Sequence, residues 1–157
     1  MSAVRLRPIA DTDREFLFRC YASTRALEMS IVDWSEVQKE QFLRMQFDAQ
    51  TEHYARHYSG ARFQIILVDE QLAGRLYVDC WPTEIRIVDI TLLPQFRGQG
   101  IGSALLQDLI DESTVSGRPL SIHVEKFNPA QHLYQRLGFQ PVGEVGVYDL
   151  MQRPVSL

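Results

Sequence analysis

The segment "VDITLLPQFRGQGIGSALLQDLI", residues 88–110, constrains this chain more than any other. A β-rich run closes at Pro94. Gly98, Gly100 and Gly102 follow at alternate positions, and an apolar pattern of helical period starts directly behind them. A helix N-terminus leaves about four N–H groups without partners. Their partial positive charge makes an anion site. Glycine lets backbone approach a bound group with no Cβ in the way. Strand, glycines and helix in that order therefore form a layout in which main chain can hold a phosphate. Arg97 adds a guanidinium beside it, suited to neutralising phosphate.

Three nucleotide loops compete for this pattern. The P-loop needs a Lys-Ser/Thr pair behind its glycines, and none follows here. The dinucleotide fingerprint needs its third glycine at the sixth position and an acid about twenty residues on, past a second strand. "GQGIGS" puts Ser103 at that position, and Asp111 and Glu112 fall inside the expected helix. The third is the coenzyme A loop.

The elements around the segment can be read in outline. "VRLRPI" alternates as a first strand. Thr12 and Glu15 fit a capping box for a helix with Phe16, Leu17, Cys20 and Tyr21 on its apolar face. "TRALEMSIVDW" is either a continuation or a turn. Ser35 and Gln38 fit a second box, opening a helix that ends at Ser59-Gly60 and carries a Phe42, Met45, Ala49 stripe. "RFQIILVD" and "RLYVDCW" read as strands joined tightly through "DEQLAG", and "EIRIVDITLL" as a third. A helix is expected from about Ile101 to Ser116, stopped by Gly117. "PLSIHVE" is a strand, "PAQHLYQRLGF" a short helix and "GEVGVYDLMQ" one last strand. Hairpins ahead of the glycines and a strand-helix-strand unit around them imply a mixed sheet.

Length and apolar content suit a single domain over residues 1–157. Net charge is −4 and neither part of the chain is basic, which argues against a nucleic-acid partner. No apolar run approaches a membrane span and the first residues show no signal peptide, so the expected location is cytoplasmic. Cys20 and Cys80 are expected as buried free thiols. His53 and His57 are four apart with no third ligand in pattern, so no metal is expected.

Two blocks carry a family resemblance. "RGQGIG", Arg97 to Gly102, resembles the Arg/Gln-x-x-Gly-x-Gly/Ala motif of the GCN5-related N-acetyltransferase (GNAT) superfamily, and "NPAQHLYQRLGF", Asn128 to Phe139, resembles its second conserved block. The resemblance implies an α/β fold: a mixed, mostly antiparallel central sheet of about six to seven strands, flanked by about four helices. It implies acetyl-CoA as cosubstrate, lying where the central strand splays from its parallel neighbour. Carried over by motif, the backbone of Ile90, Thr91 and Leu92 would pair with the pantetheine arm. Arg97, Gly98, Gln99, Gly100, Ile101, Gly102 and Ser103 would meet the pyrophosphate, and Asn128 would touch the arm.

The same resemblance makes Tyr134 the acid that protonates the leaving sulfur, Leu92 N–H the donor to the thioester oxygen, and Glu84, thirteen residues before Arg97, the base. Asp89, Glu125, His123 and plain water are rival bases. The acceptor would be an amine, in a small molecule or a peptide, near Tyr21 to Trp34, Trp81 and "GEVGVYD". Glu28, Asp33 and Asp79 could draw a cation, and Trp34 and Trp81 could line a slot. A homodimer is compatible with all of this. The rival function is a non-catalytic acyl-CoA sensor or interaction protein on the same fold.

Overall fold

The computed structural model describes residues 2–155. Seven strands form one sheet in the order β1-β2-β3-β4-β5-β7-β6. They are β1 (Val4–Pro8), β2 (Arg62–Val68), β3 (Gln71–Cys80), β4 (Ile85–Leu92), β5 (Leu120–Glu125), β6 (Gln140–Val145) and β7 (Tyr148–Arg153). Only β4 and β5 run parallel; every other neighbouring pair is antiparallel. Five helices flank the sheet: α1 (Arg14–Thr24), α2 (Ala26–Ser30), α3 (Glu36–His57), α4 (Ile101–Ser116) and α5 (Gln131–Arg136).

One sheet face packs against α4 and α5. Ile66, Val78, Ile85, Ile87, Leu120, Ile122 and Met151 meet Leu105, Leu106, Leu109, Tyr134 and Phe139 there. The opposite face packs against α1 and α3, where Ile65, Leu67 and Tyr77 meet Phe16, Leu17, Phe18, Cys20, Tyr21, Leu43 and Phe47. Alternation along each strand sends successive side chains to opposite faces, so both cores come from the same strands.

β3 and β4 approach so closely that a Cβ at Gly74 would stand 2.0 Å from the Thr91 carbonyl oxygen. No other residue fits there without moving a strand. Beyond that point the β4 register slips: Tyr77 faces Asp89 while Val78 faces Ile87, leaving Val88 as the extra residue of a bulge.

Several sequence expectations need correction. Thr12 and Glu15 form no capping box. A 3-10 turn over Asp11–Asp13 precedes α1, Asp13 accepts the Ala10 N–H at 2.8 Å, and Glu15 pairs with Arg44. The Ser35–Gln38 box does form, with bonds of 2.9 and 3.1 Å. The buried residues of α3 are Leu43 and Phe47, whereas Met45 and Ala49 face solvent. Polar Gln46 and Gln50 interrupt the true stripe, because they bond Tyr21 and Arg75. "TRALEMSIVDW" contains the short α2, and β3 starts at Gln71. The last run is two strands, since Gly146 at φ 58° turns the chain back between β6 and β7. Cys20 is buried, but Cys80 is exposed at the end of β3. α4 has the expected bounds, with Gly117 left-handed at its C-cap.

Candidate active site

β4 and β5 are paired over three positions only: Ile85 with Leu120, Arg86 with Ser121, and Ile87 with Ile122. Past Ile87, at the Val88 bulge, the two strands separate. The half of β4 from Val88 to Leu92 therefore faces a gap where a sheet neighbour would otherwise lie. Leu93 N–H bonds the Ala73 carbonyl at 2.8 Å, so by alternation Thr91 also turns its backbone to β3, while Ile90 and Leu92 turn theirs to the gap. The expectation for Thr91 is thus narrowed. Its backbone belongs to the ladder, and its hydroxyl donates to Asp89 Oδ1 at 2.7 Å.

The glycine segment lies at the wide mouth of the gap. A 3-10 turn, Pro94–Phe96, leads into it. Gly98 at φ 73° and Gly100 at φ 80° are left-handed, and a Cβ on either would have no atom within 4 Å. Gly100 is the N-cap of α4 and makes no side-chain cap. The first turn bond runs from Ala104 N–H to Gly100 O, so the amides of Ile101, Gly102 and Ser103 have no helical acceptor. Gly102 has a different reason: its Cβ would only touch Leu92 Cδ1 at 3.9 Å, which alanine tolerates. Gln99 donates back to the Gln95 carbonyl. Arg97 is exposed and reaches back, donating from Nε to the Leu92 carbonyl at 2.9 Å and from Nη2 to Ser23 Oγ at 3.4 Å. It clamps the loop to the end of β4 and to α1, which the sequence reading did not anticipate. Open backbone, a free first helical turn and unobstructed glycines fit a coenzyme A arm and its pyrophosphate.

Tyr134 on α5 is 6% exposed, with its ring edge-on to Phe139 at 5.5 Å. Burial pushes its phenol up to about 12, and the Asp89 charge adds to the rise. The phenol is therefore held protonated across neutral pH. The side chains of Ile90 and Leu92 on the open half of β4 pack against the apolar cluster that holds Tyr134. Asn128 donates its backbone N–H to the Glu125 carbonyl at 3.0 Å, and its Oδ1 accepts Ala130 N–H at 2.9 Å just ahead of α5.

Glu84 stands at the closed end of the pair. The Ser121 hydroxyl donates to its Oε2, and Arg86 Nη2 approaches the same oxygen at 3.4 Å. Arg86 is the residue that sequence reasoning missed. Buried in mid-sheet, it donates from Nε to Ser121 Oγ at 2.7 Å, and its guanidinium lies 4.9 Å from the Trp81 ring. Trp81 in turn stacks on Tyr58 at 6.1 Å. Arg86 Nη1 also meets His123 Nδ1 at 3.3 Å. A guanidinium can only donate, so Nδ1 accepts and the ring proton sits on Nε2. Burial, with Arg86 beside it, lowers the His123 pKa further. That tautomer has no free lone pair, which removes His123 as a base. A strand arginine at position i+2 from an acid was the only available signal for this cluster.

The other rival bases are occupied. Asp89 Oδ2 accepts from Arg75 Nη2 at 2.8 Å and from the Tyr54 hydroxyl at 3.0 Å. Glu125 pairs with Arg25 at 3.4 Å, and Glu28 pairs with the same guanidinium at 3.0 Å. Trp34 packs on Phe42 at 5.3 Å, away from Trp81 and its Tyr58 partner. The His53 and His57 rings lie 4.2 Å apart, and among the described residues no cluster of three His, Cys, Asp or Glu side chains is placed to hold a metal. No helix among them is long and apolar enough to cross a membrane.

Comparison with known proteins gives a consistent picture. The profile of the acetyltransferase (GNAT) domain family matches residues 59–141, just over half of the chain. A Bacillus subtilis (strain 168) protein named "Putative ribosomal protein bS18-alanine N-acetyltransferase" is 34% identical over 87 residues, which cover 53% of this chain and 56% of that protein. The match thus spans little more than half the length of that relative. The PaiA N-acetyltransferase from Thermoplasma acidophilum, solved in complex with coenzyme A, superposes with a TM-score of 0.71 at 19% identity, covering 97% of this chain and 99% of that one. The ribosomal-protein-S18-alanine N-acetyltransferase from Escherichia coli gives 0.64 at 19% identity, covering 99% and 96%. An acetyltransferase from Thermus thermophilus gives 0.68 at 20%, covering 97% of each chain. At such identities these three establish a shared fold.

Proposed function

This chain belongs to the GNAT acetyltransferase family, and from that premise we propose that it transfers the acetyl group of acetyl-CoA to a primary amine in a ternary complex. The observation that carries the reading is one continuous path. It begins at the uncapped first turn of α4 and follows the open half of β4, whose Ile90 and Leu92 side chains pack against the apolar cluster that holds buried Tyr134. A phosphate-bearing thioester fits that path from the charged end to the reacting end.

Acetyl-CoA supplies the activated acyl carbon. The α4 amides and the glycine backbone bind its pyrophosphate, and the gap-facing backbone of Ile90 and Leu92 orients the arm. Arg97 fixes the loop against β4. The acid and the oxyanion donor must serve the same thioester, and Leu92 N–H, on the gap-facing side of β4, is the donor to its oxygen. Tyr134 holds its proton until thiolate develops and then gives it to the sulfur.

Glu84 stands at the closed end of the β4–β5 pair and takes the amine proton through water. Ser121 and Arg86 hold its Oε2, leaving Oε1 for that water. The acceptor enters on the α3 side of the sheet, beside Trp81, Tyr58 and Arg86. The whole chain is proposed to act as one acetyltransferase domain.

Single-turnover measurement of thiol release tests the assignment. Tyr134→Phe should leave acetyl-CoA affinity nearly unchanged and slow the chemical step by about 10- to 100-fold. A full-rate variant removes Tyr134 from the chemistry. Glu84→Gln should lose most at low pH, where the amine most needs a base. Tight acetyl-CoA binding with no turnover on any amine or peptide would return the chain to the non-catalytic reading.

A further inference from the structure

Asp89 stands in the middle of β4, yet no step of the transfer uses it. Its side chain is 11% exposed. The carboxylate accepts from Arg75 Nη2 at 2.8 Å, from the Tyr54 hydroxyl at 3.0 Å and from the Thr91 hydroxyl at 2.7 Å. A buried ion pair is weak evidence for stability, because an apolar pair of similar volume often serves as well. The place of this one in the strand gives a different reason for it.

Side chains along a strand alternate between the two faces. Ile85 and Ile87 point into the core against α4 and α5. In an unbroken β4, Asp89 and Thr91 would follow them, and Ile90 and Leu92 would turn to α1 and α3. The bulge at Val88 reverses this. Val88 and Asp89, neighbours in sequence, both face the α1–α3 side, while Ile90 and Leu92 pack into the other core. Polarity accounts for the choice. Among the described residues, the α4–α5 cluster has one hydrogen-bonding side chain, that of Tyr134. A carboxylate placed there would exchange three donors for one, and a buried charge short of partners is costly.

The same slip decides which backbone meets the gap. Successive strand residues turn their N–H and C=O groups to opposite neighbours. Ile85 N–H bonds the Pro119 carbonyl, on the β5 side. Without the extra residue, Asp89 and Thr91 would continue that row, and Leu92 would turn to β3. With it, Leu93 N–H bonds Ala73, and the gap receives Ile90 and Leu92. We propose that Asp89 is a positioning residue for the transfer site: its bonds to Arg75, Tyr54 and Thr91 hold the Val88 bulge, and the bulge turns the backbone of Ile90 and Leu92 to the cosubstrate. This rests on the coenzyme A reading of the gap.

Two double variants separate positioning from stability, because each removes both charges. Arg75→Met with Asp89→Leu leaves no polar group to hold the bulge. It should unfold near the wild-type denaturant midpoint, yet bind acetyl-CoA about tenfold more weakly, the worth of one or two main-chain hydrogen bonds. Arg75→Met with Asp89→Asn keeps a polar side chain for Tyr54 and Thr91, and should bring the affinity back to near that of the wild type. Calorimetry gives the affinities. The register is read without ligand from α-proton NOEs between Leu76 and Ile90, which face each other in the bulged strand. These NOEs should fade in the leucine variant and persist in the asparagine variant. If the leucine variant does not fold, Arg75→Leu with Asp89→Val replaces it, with the same expectations. Wild-type affinity or intact NOEs in the leucine variant, or no recovery with asparagine, would overturn the role of Asp89. A wild-type protein that binds no acetyl-CoA would instead remove the coenzyme A reading, and the NOEs alone would then decide whether Asp89 holds the bulge.

Discussion

The two faces of this sheet are built on different physical terms. Against α4 and α5 the interior is almost wholly aliphatic and aromatic; Ser113, buried on α4, bonds the Arg118 carbonyl. Against α1 and α3 the interior is threaded with polar groups. Gln50, Arg75, Asp89, Tyr54 and Thr91 form one connected network, and Glu84, Arg86, Ser121 and His123 form another towards β5. The aliphatic face is stabilised in proportion to area, without direction, so it tolerates exchange of one apolar shape for another. The polar face is satisfied only while each partner is present. The consequence is a division of labour: one face anchors the helix that opens the glycine site, and the other fixes where charge stands beside the gap.

The largest expected effect tests that division directly. Arg75→Met would strand Asp89 among Tyr54 and Thr91, and denaturant titration should show a loss of about 3–5 kcal/mol. Adding Asp89→Leu should recover most of it, because an apolar pair replaces both charges. A double variant no better than the single one would break the comparison. Leu106→Ala on the other face should cost about 3 kcal/mol, within the usual cavity range, while Leu106→Met should cost under about 1.5 kcal/mol. Equal damage from both would show that the aliphatic face is not tolerant.

A smaller effect concerns Asp13 at the margin of the α1 side. The Arg7 guanidinium holds the Asp13 carboxyl below the ordinary aspartate range, against burial. A lowered folded-state pKa stabilises the protein above the unfolded value, near 4, and that contribution is lost as pH falls through the folded value. Asp13→Asn should therefore flatten the acid limb of the melting curve and lower stability near neutrality. Smallest of all is Arg5→Ala. Its pairing with Glu70 at 2.7 Å is exposed on both sides, and the melting temperature should not move measurably.

Legibility followed the same division. The α4 boundaries, the glycine loop and the short α5 were readable because strand, glycine, helix and stop signals are neighbours in sequence. The polar networks were not, since their partners come from distant elements: Arg75 meets Asp89 fourteen residues away and Gln50 twenty-five, and Ser121 meets Glu84 thirty-seven away. The same blindness misplaced the α3 stripe. Gln46 and Gln50 look solvent-facing in sequence, yet they serve Tyr21 and Arg75. At the gap, motif spacing pointed to Tyr134, Glu84 and Leu92, whereas the one-residue bulge at Val88, where β4 leaves β5, is a matter of register that no residue type announces.

The three paired positions between β4 and β5 also have a mechanical meaning. β1 to β4 form one leaf and β5 to β7 the other, and a seam from Ile85 to Ile87 is their entire sheet connection. A molecule lying along Ile90 and Leu92 would act as mortar between the leaves, lengthening the seam without breaking any existing bond. The stiffness of the sheet then becomes a function of occupancy. Amide exchange at Ile90 and Leu92 should slow on loading, and the melting temperature should climb with ligand concentration, as linkage requires.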